Sequence, residues 1–94
     1  MNPLTLKIVT PEGVDRSIPC DSVILWMAAD TRGRKEGSIG IQKGHVNCVI
    51  ALGNGPVQAR SGGADVFSGE TKGGFATVMD DTITVITPHI ELNG

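Results

Sequence analysis

Two histidines, two cysteines and Ser38 are the residues that could take part in metal or nucleophilic chemistry in this chain. A zinc site needs three or four ligands, often with two of them closely spaced. The candidates Glu36, His45, Cys48 and His89 form no recognised ligand spacing. Ser38 and His45 could be a nucleophile and its base, but the GxSxG turn of serine hydrolases does not occur. These residues therefore favour neither a metal centre nor a hydrolase.

Glycine-rich segments can bind phosphate, but none here matches a known phosphate loop. The runs at residues 37–45 (GSIGIQKGH) and 70–74 (ETKGG) both lack the GxxxxGK[ST] pattern. Gly53-Asn54-Gly55 lacks the third glycine of the dinucleotide fingerprint and the helix that should follow it. The net charge of −2 argues against a general attraction to nucleic acid. We therefore expect no cofactor, no bound metal and no nucleic-acid partner.

Basic residues are concentrated around the glycine run. Arg32, Arg34, Lys35 and Lys43 place four of the eight lysines and arginines within twelve positions. These charges either lie on a solvated, exposed loop or face a polar or acidic partner, where they would steer association. Trp26, the single tryptophan, would either pack in the core or anchor an interface.

Short segments of alternating hydrophobicity predict β-strands along the chain. Residues 4–9 alternate in this way, and the 37–45 run predicts a strand and a tight turn that lead into a second strand at 46–52. The apolar run 23–29 predicts a strand that is covered on both faces. No segment has the sustained 3.6-residue periodicity of an amphipathic helix.

Turn residues separate these segments and define the connections. Ser61-Gly62-Gly63 predicts one hairpin and Asp80-Asp81 a second one, whereas residues 53–56 (GNGP) predict a turn. Polar residues at 89–94 predict a frayed tail. We therefore expect an all-β fold, a two-sheet β-sandwich or flattened barrel of short antiparallel strands with little or no helix.

The 94 residues are sufficient for one domain with one core. No run approaches the roughly 18 apolar residues of a membrane-spanning helix, and no signal peptide is apparent at the N-terminus. Cys20 and Cys48 form no CxxC motif; they are either two free thiols in a reducing compartment or a disulfide.

Three sequence blocks carry a resemblance to a known family. They are residues 4–13 (LTLKIVTPEG), 37–45 with Ala51-Leu52 six positions later, and 73–78 (GGFATV) continued by 80–86 (DDTITVI). In this order and spacing they resemble the N-terminal β-sandwich domain of the epsilon subunit of the F-type ATP synthase, known as delta in mitochondria. The strand that contains Cys48 is similar to the variant epsilon subunits of alternative, sodium-type F-ATPases.

The resemblance implies a non-catalytic rotor subunit. Such a subunit couples the gamma subunit and the membrane c-ring to the catalytic head, and it is peripheral on the cytoplasmic face of a bacterial plasma membrane or an equivalent energy-converting membrane. Membrane contact would occur only through the complex. The implied domain covers residues 1–87, followed by a short tail at 88–94 in place of the family's helical hairpin.

The same resemblance implies which residues contact partners. The loop around Ser38 corresponds to the c-ring side, and the turn at Gly44 and His45 lies towards gamma. The predicted partner interface consists of Arg34, Lys35, Glu36, Ser38, Gly44 and His45.

Two other functions remain open from the residues alone. A free-standing β-sandwich could bind a ligand such as a sugar, although an aromatic content of 3% without tyrosine provides few binding platforms. A small cupin-like metal enzyme would need clustered histidines, and this chain has two distant ones.

Overall fold

Ten β-strands form two five-stranded sheets in the computed structural model, which describes residues 4–13, 15–29, 35–44 and 47–92. The strands are β1 Leu4–Val9, β2 Asp15–Cys20, β3 Ser22–Met27, β4 Gly37–Gln42, β5 Cys48–Ala51, β6 Asn54–Ser61, β7 Ala64–Lys72, β8 Phe75–Met79, β9 Thr82–Ile86 and β10 Ile90–Leu92. The first sheet has the order β2-β1-β9-β8-β5 and the second β10-β7-β6-β3-β4. The predicted two-sheet β-sandwich is confirmed, and no helix occurs among the described residues.

The strand pairs are antiparallel, with one exception. β1 and β9 run parallel in the middle of the first sheet, with Leu6 beside Ile83. A parallel pair needs a long connection between its strands, and here the connection contains most of the second sheet. The first and last strands of the first sheet in chain order are therefore neighbours, and β10 of the second sheet follows them.

The core lies between the sheets because successive side chains of a strand point to opposite faces. One face of each strand supplies the buried side chains. They are Leu4, Leu6, Ile8, Ile18, Cys20, Val23, Leu25, Ile41, Ile50, Leu52, Val57, Ala59, Phe67, Ala76, Val78, Ile83, Val85 and Ile90. The prediction that β3 is covered on both faces was wrong, since Val23 and Leu25 are buried while Ile24 and Trp26 are only half-buried.

Both predicted hairpins are present. β6 and β7 are joined at Gly62-Gly63, and β8 and β9 are joined at Asp80-Asp81. Asp80 and Asp81 have φ values of 49° and 61°. Two successive positive φ angles define the turn whose twist matches a two-residue hairpin, and aspartate tolerates that conformation better than most residues.

Residues 53–56 do not form the predicted turn, because Asn54–Ser61 is strand β6 and pairs with β7. Gly55 has no side chain here for a packing reason: a Cβ at this position would lie 2.3 Å from Trp26 Cγ. The hydroxyl of buried Thr71 donates to the carbonyl of Gly53 at 3.1 Å. The glycines therefore allow close packing rather than a chain reversal.

The predicted frayed tail was wrong for residues 90–92, because Ile90–Leu92 forms β10 and pairs with β7; the last two residues of the predicted tail, 93–94, lie outside the described residues. Ile90 is buried, and the amide of Lys72 donates to the carbonyl of His89 at 3.1 Å. Gly69 allows this close approach, since a Cβ there would lie 2.8 Å from the carbonyl oxygen of Glu91. The sheet therefore continues past residue 87, where the sequence suggested a boundary.

Candidate partner-docking surface

Four of the six predicted interface residues lie at or beside β4. Lys35 and Glu36 precede the strand, Ser38 is its second residue, and Gly44 follows it; all four are exposed. Arg34 and His45 lie outside the described residues. β4 is an edge strand of the second sheet, so the structure brings the described members of the predicted interface to one edge of the sandwich.

Ser38 lies in strand β4, as the local pattern at 37–45 predicted, and not in the loop that the family resemblance implied. It pairs with Trp26 of β3 in the antiparallel register. Alternating hydrophobicity at Ile39 and Ile41 was the local signal for this strand. The position of Ser38 is therefore set by backbone pairing, which restricts its movement more than a loop would.

Trp26 holds the chain just before β4. Its indole Nε1 donates to Glu36 Oε2 at 3.3 Å. The ring packs against the backbone around Gly53 and Gly55, where added Cβ atoms would lie 3.2 Å and 2.3 Å from its atoms. The half-buried tryptophan therefore has a packing role and also engages one carboxylate of the predicted interface.

The turn after β4 is hydrogen-bonded to the opposite sheet. The amide of Gly44, whose φ is 82°, donates to Asp81 Oδ1 at 2.9 Å. The amide of Asp80 donates to Asn47 Oδ1 at 3.0 Å. The β8–β9 turn thus holds the connection between β4 and β5 at both of its described ends.

We expect Asp81→Ala to loosen this connection. Alanine loses the acceptor for the Gly44 amide and tolerates the positive φ less well, which should cost about 1–2 kcal/mol of unfolding free energy. Amide hydrogen exchange at Gly44 should become faster by NMR. Asp81→Asn is the matched control, because asparagine keeps a side-chain oxygen and tolerates this backbone conformation. Equal exchange at Gly44 in both variants would contradict the assigned role.

The strands on either side of this connection do not pair with each other. β4 is an edge strand of the second sheet and β5 is an edge strand of the first sheet, so the chain passes from one sheet to the facing edge of the other between them. An apolar groove of about 340 Å³ lies there, lined by Met27, Ala28, Ile39, Cys48, Val49, Ile50 and Ala51. The sequence predicted both strands but not that they belong to different sheets.

The titratable side chains that the structure describes lie mostly on the surface. Within the described ranges no group of three or more His, Cys, Asp or Glu side chains could hold a metal ion. His89 Nδ1 lies 2.5 Å from Glu12 Oε1 on the surface. Both cysteines are free thiols; burial raises the pKa of Cys20, which lowers its reactivity because the thiolate is the nucleophile.

Sequence reasoning missed an apolar surface on the outer face of the first sheet. Val9 pairs with Ile86, which in turn pairs with Phe75, so the three side chains form a row across three adjacent strands. They are 41%, 38% and 45% exposed. The sequence signal for this surface was that β8 and β9 have apolar residues at outward-facing as well as inward-facing positions. A sheet face that is exposed to solvent does not need a row of apolar side chains, so this row is a candidate contact surface.

The described residues contain no helix that could cross a bilayer.

Comparisons with known proteins agree with the fold. Residues 3–93 match the family described as ATP synthase, Delta/Epsilon chain, beta-sandwich domain. The chain is 33% identical over 94 residues to the ATP synthase epsilon chain of Brevibacillus brevis, covering all of this chain and 66% of the relative. It is 34% identical over 89 residues to the epsilon chain of Prochlorococcus marinus, covering 95% of this chain and 60% of the relative.

Two solved structures have the same fold. A chain in the cryo-EM structure of the Euglena gracilis mitochondrial ATP synthase (OSCP/F1/c-ring) superposes with a TM-score of 0.75 at 19% identity, covering 98% of this chain and 54% of that one. The Tetrahymena thermophila mitochondrial ATP synthase central stalk/c-ring contains another, with a TM-score of 0.67 at 18% identity and coverages of 94% and 65%. This chain thus spans 60–66% of the length of the two epsilon chains it matches. Since the match extends over nearly every residue described, the chain belongs to the ATP synthase delta/epsilon family and forms that family's β-sandwich domain.

Proposed function

We propose that this chain is a non-catalytic central-stalk subunit of a proton- or sodium-translocating F-type ATP synthase. It docks on the gamma subunit and the c-ring and lies peripherally on the cytoplasmic face of the bacterial plasma membrane or an equivalent membrane. Family membership and the two-sheet body support this role. A close-packed core deforms little under load, which suits a part that transmits torque.

The observation that carries the proposal is the apolar row of Val9, Ile86 and Phe75. Val49 and Met79 are exposed on the same sheet, to 71% and 60%. Contiguous apolar surface of this kind marks contacts with other proteins. Phe75 is the aromatic member of the row, and aromatic side chains are enriched at interface positions that contribute most to binding. We assign this face to gamma.

The predicted interface residues keep their expected roles within this proposal. Arg34, Lys35, Glu36 and Ser38 are assigned to the c-ring side, whereas Gly44 and His45 are assigned to the gamma side. The four described residues are exposed, which is a requirement for either contact.

We expect Phe75→Glu to weaken binding of gamma by at least tenfold, because it places a charge in the apolar row. Calorimetry or a pull-down with gamma and c-ring from the same source measures this. Val66→Glu is the matched control, since Val66 is similarly exposed, at 43%, but lies on the second sheet. If the unsubstituted chain binds neither gamma nor the c-ring, the proposed function is wrong.

A further inference from the structure

His89 joins the two sheets at one end of the sandwich. It follows β9 of the first sheet and directly precedes β10 of the second sheet. Its carbonyl accepts a hydrogen bond from the amide of Lys72 on β7 at 3.1 Å. Its imidazole Nδ1 lies 2.5 Å from Oε1 of Glu12, in the turn between β1 and β2. The backbone of His89 is therefore bound to the second sheet, whereas its side chain is bound to the first.

A second carboxylate lies near the other nitrogen of the imidazole. Oε1 of Glu91 is 4.0 Å from Nε2 of His89. A neutral imidazole has one N–H donor and one nitrogen that only accepts, whereas the protonated ring has two donors. An ionised carboxylate can only accept. Only the protonated ring therefore presents an N–H group to each of the two carboxylates.

The other charged groups that face this site lie on β7, since β9 contains no charged residue. Glu70 is directly opposite Glu91 in the pairing of β7 with β10, and like charges in this position destabilise a strand pair. Lys72 is opposite His89 and forms no ion pair with a described residue. It opposes a proton on His89, but it is one cation beside the carboxylates of Glu12, Glu70 and Glu91. A proton on His89 therefore brings this group of charges closer to balance.

β10 is the element whose attachment depends most on these charges. It has three residues, lies at the edge of the second sheet and pairs only with β7. Ile90 is buried, but Leu92 is 48% exposed. Short segments with few buried apolar contacts open locally at a small cost in free energy. A change of one charge beside β10 is therefore sufficient to change how often it opens.

We propose that His89 is a pH-sensitive latch, which holds β10 on the sandwich in its protonated form. Histidine is the side chain that normally changes charge between about pH 5 and 8. The protonated ring attracts Glu12 on the first sheet and Glu91 on β10, whereas loss of the proton leaves the carboxylates of Glu12, Glu70 and Glu91 with Lys72 alone. The stabilisation is thus present at low pH and is lost as the pH rises through this range. This inference goes beyond the proposed function and does not depend on it.

Residue-resolved amide hydrogen exchange of the full chain, at about pH 5.5 and about pH 8, tests the latch. Rates are compared as protection factors, which removes the intrinsic pH dependence of amide exchange. We expect the protection of the Lys72 amide and of the β10 amides to be about threefold lower at the higher pH, the size of effect that exposed ion pairs produce. Amides of the β8–β9 hairpin are the internal control and should keep their protection. Equal protection at both pH values, or lower protection at the lower pH, overturns the proposal.

Three substitutions separate protonation of His89 from a purely structural contact. His89→Gln keeps a side chain that can donate to Glu12 but cannot change charge, so the pH dependence of the protection factors should disappear. Glu12→Gln removes the nearest carboxylate and should weaken this dependence. His45→Gln is the matched control, because it removes the only other histidine of the chain and should leave the dependence unchanged. If the dependence persists in His89→Gln, or disappears in His45→Gln, His89 is not the latch.

Discussion

Replacing Gly74 by alanine should lower the melting temperature by about 12 °C or more. Gly74 has a φ of 100°, and a Cβ there would lie 2.3 Å from the carbonyl oxygen of Ile86 and 2.8 Å from Thr87 Cα. Both contacts are with backbone, which cannot rotate away. The steric overlap and the left-handed backbone conformation of alanine should together lower the free energy of unfolding by about 3 kcal/mol. Each kcal/mol shifts the melting temperature of a domain of this size by about 4–8 °C.

Gly73→Ala separates the two causes of this loss. Gly73 also has a positive φ, 73°, but an added Cβ meets nothing within 4 Å. It should therefore show the backbone strain alone, about 1 kcal/mol. Thermal and urea denaturation of the two variants measure the difference. If Gly74→Ala is no less stable than Gly73→Ala, the close approach to Ile86 does not determine the choice of glycine.

The strands that could be predicted from sequence are those whose local hydrophobic pattern agrees with the side chains that the sheet buries. β1, β8 and β9 alternate apolar and polar or smaller residues because one face of each packs on the core. The turns at 62–63 and 80–81 contain residues that tolerate positive φ, so the hairpins were evident as well. In these segments a short window contains all the information that is needed.

Other strands depend on residues distant in sequence. β2, with the sequence DRSIPC, buries only Ile18 and Cys20 and owes its position to pairing with β1. Residues 53–56 have turn composition, but Trp26 packs where a side chain of Gly55 would stand. The signal for an extended chain at this point therefore lies about thirty positions earlier, outside any local pattern.

The candidate docking surface could likewise be predicted from sequence only in part. Sequence placed Lys35, Ser38 and Gly44 near one another because they are close along the chain. It could not reveal the hydrogen bond that joins Gly44 to Asp81, 37 positions apart. The groove beside β4 was also hidden, since it exists only because the edges of two different sheets face each other.

Leu6→Ala should be strongly destabilising although it leaves the backbone path unchanged. Leu6 is fully buried on β1, between Ile18 of β2 and Ile83 of β9. The Leu6 side chain thus contacts inward-facing neighbours in its own sheet and lies against the opposite sheet. Removing a buried leucine side chain leaves a cavity and costs about 2–5 kcal/mol, a large part of the roughly 5–15 kcal/mol that stabilises a typical domain.

Urea denaturation measures this loss, and Lys7→Ala on the same strand is the control. Lys7 is exposed, so its removal should change the unfolding free energy by no more than about 0.5 kcal/mol. Because Leu6 faces the interior, the folded Leu6→Ala variant should still bind gamma, whereas Phe75→Glu should not. A loss below about 1 kcal/mol for Leu6→Ala would mean that the sheets close over the vacated volume. A body that adapts so readily would be poorly suited to transmit torque, which would count against the role proposed for this domain.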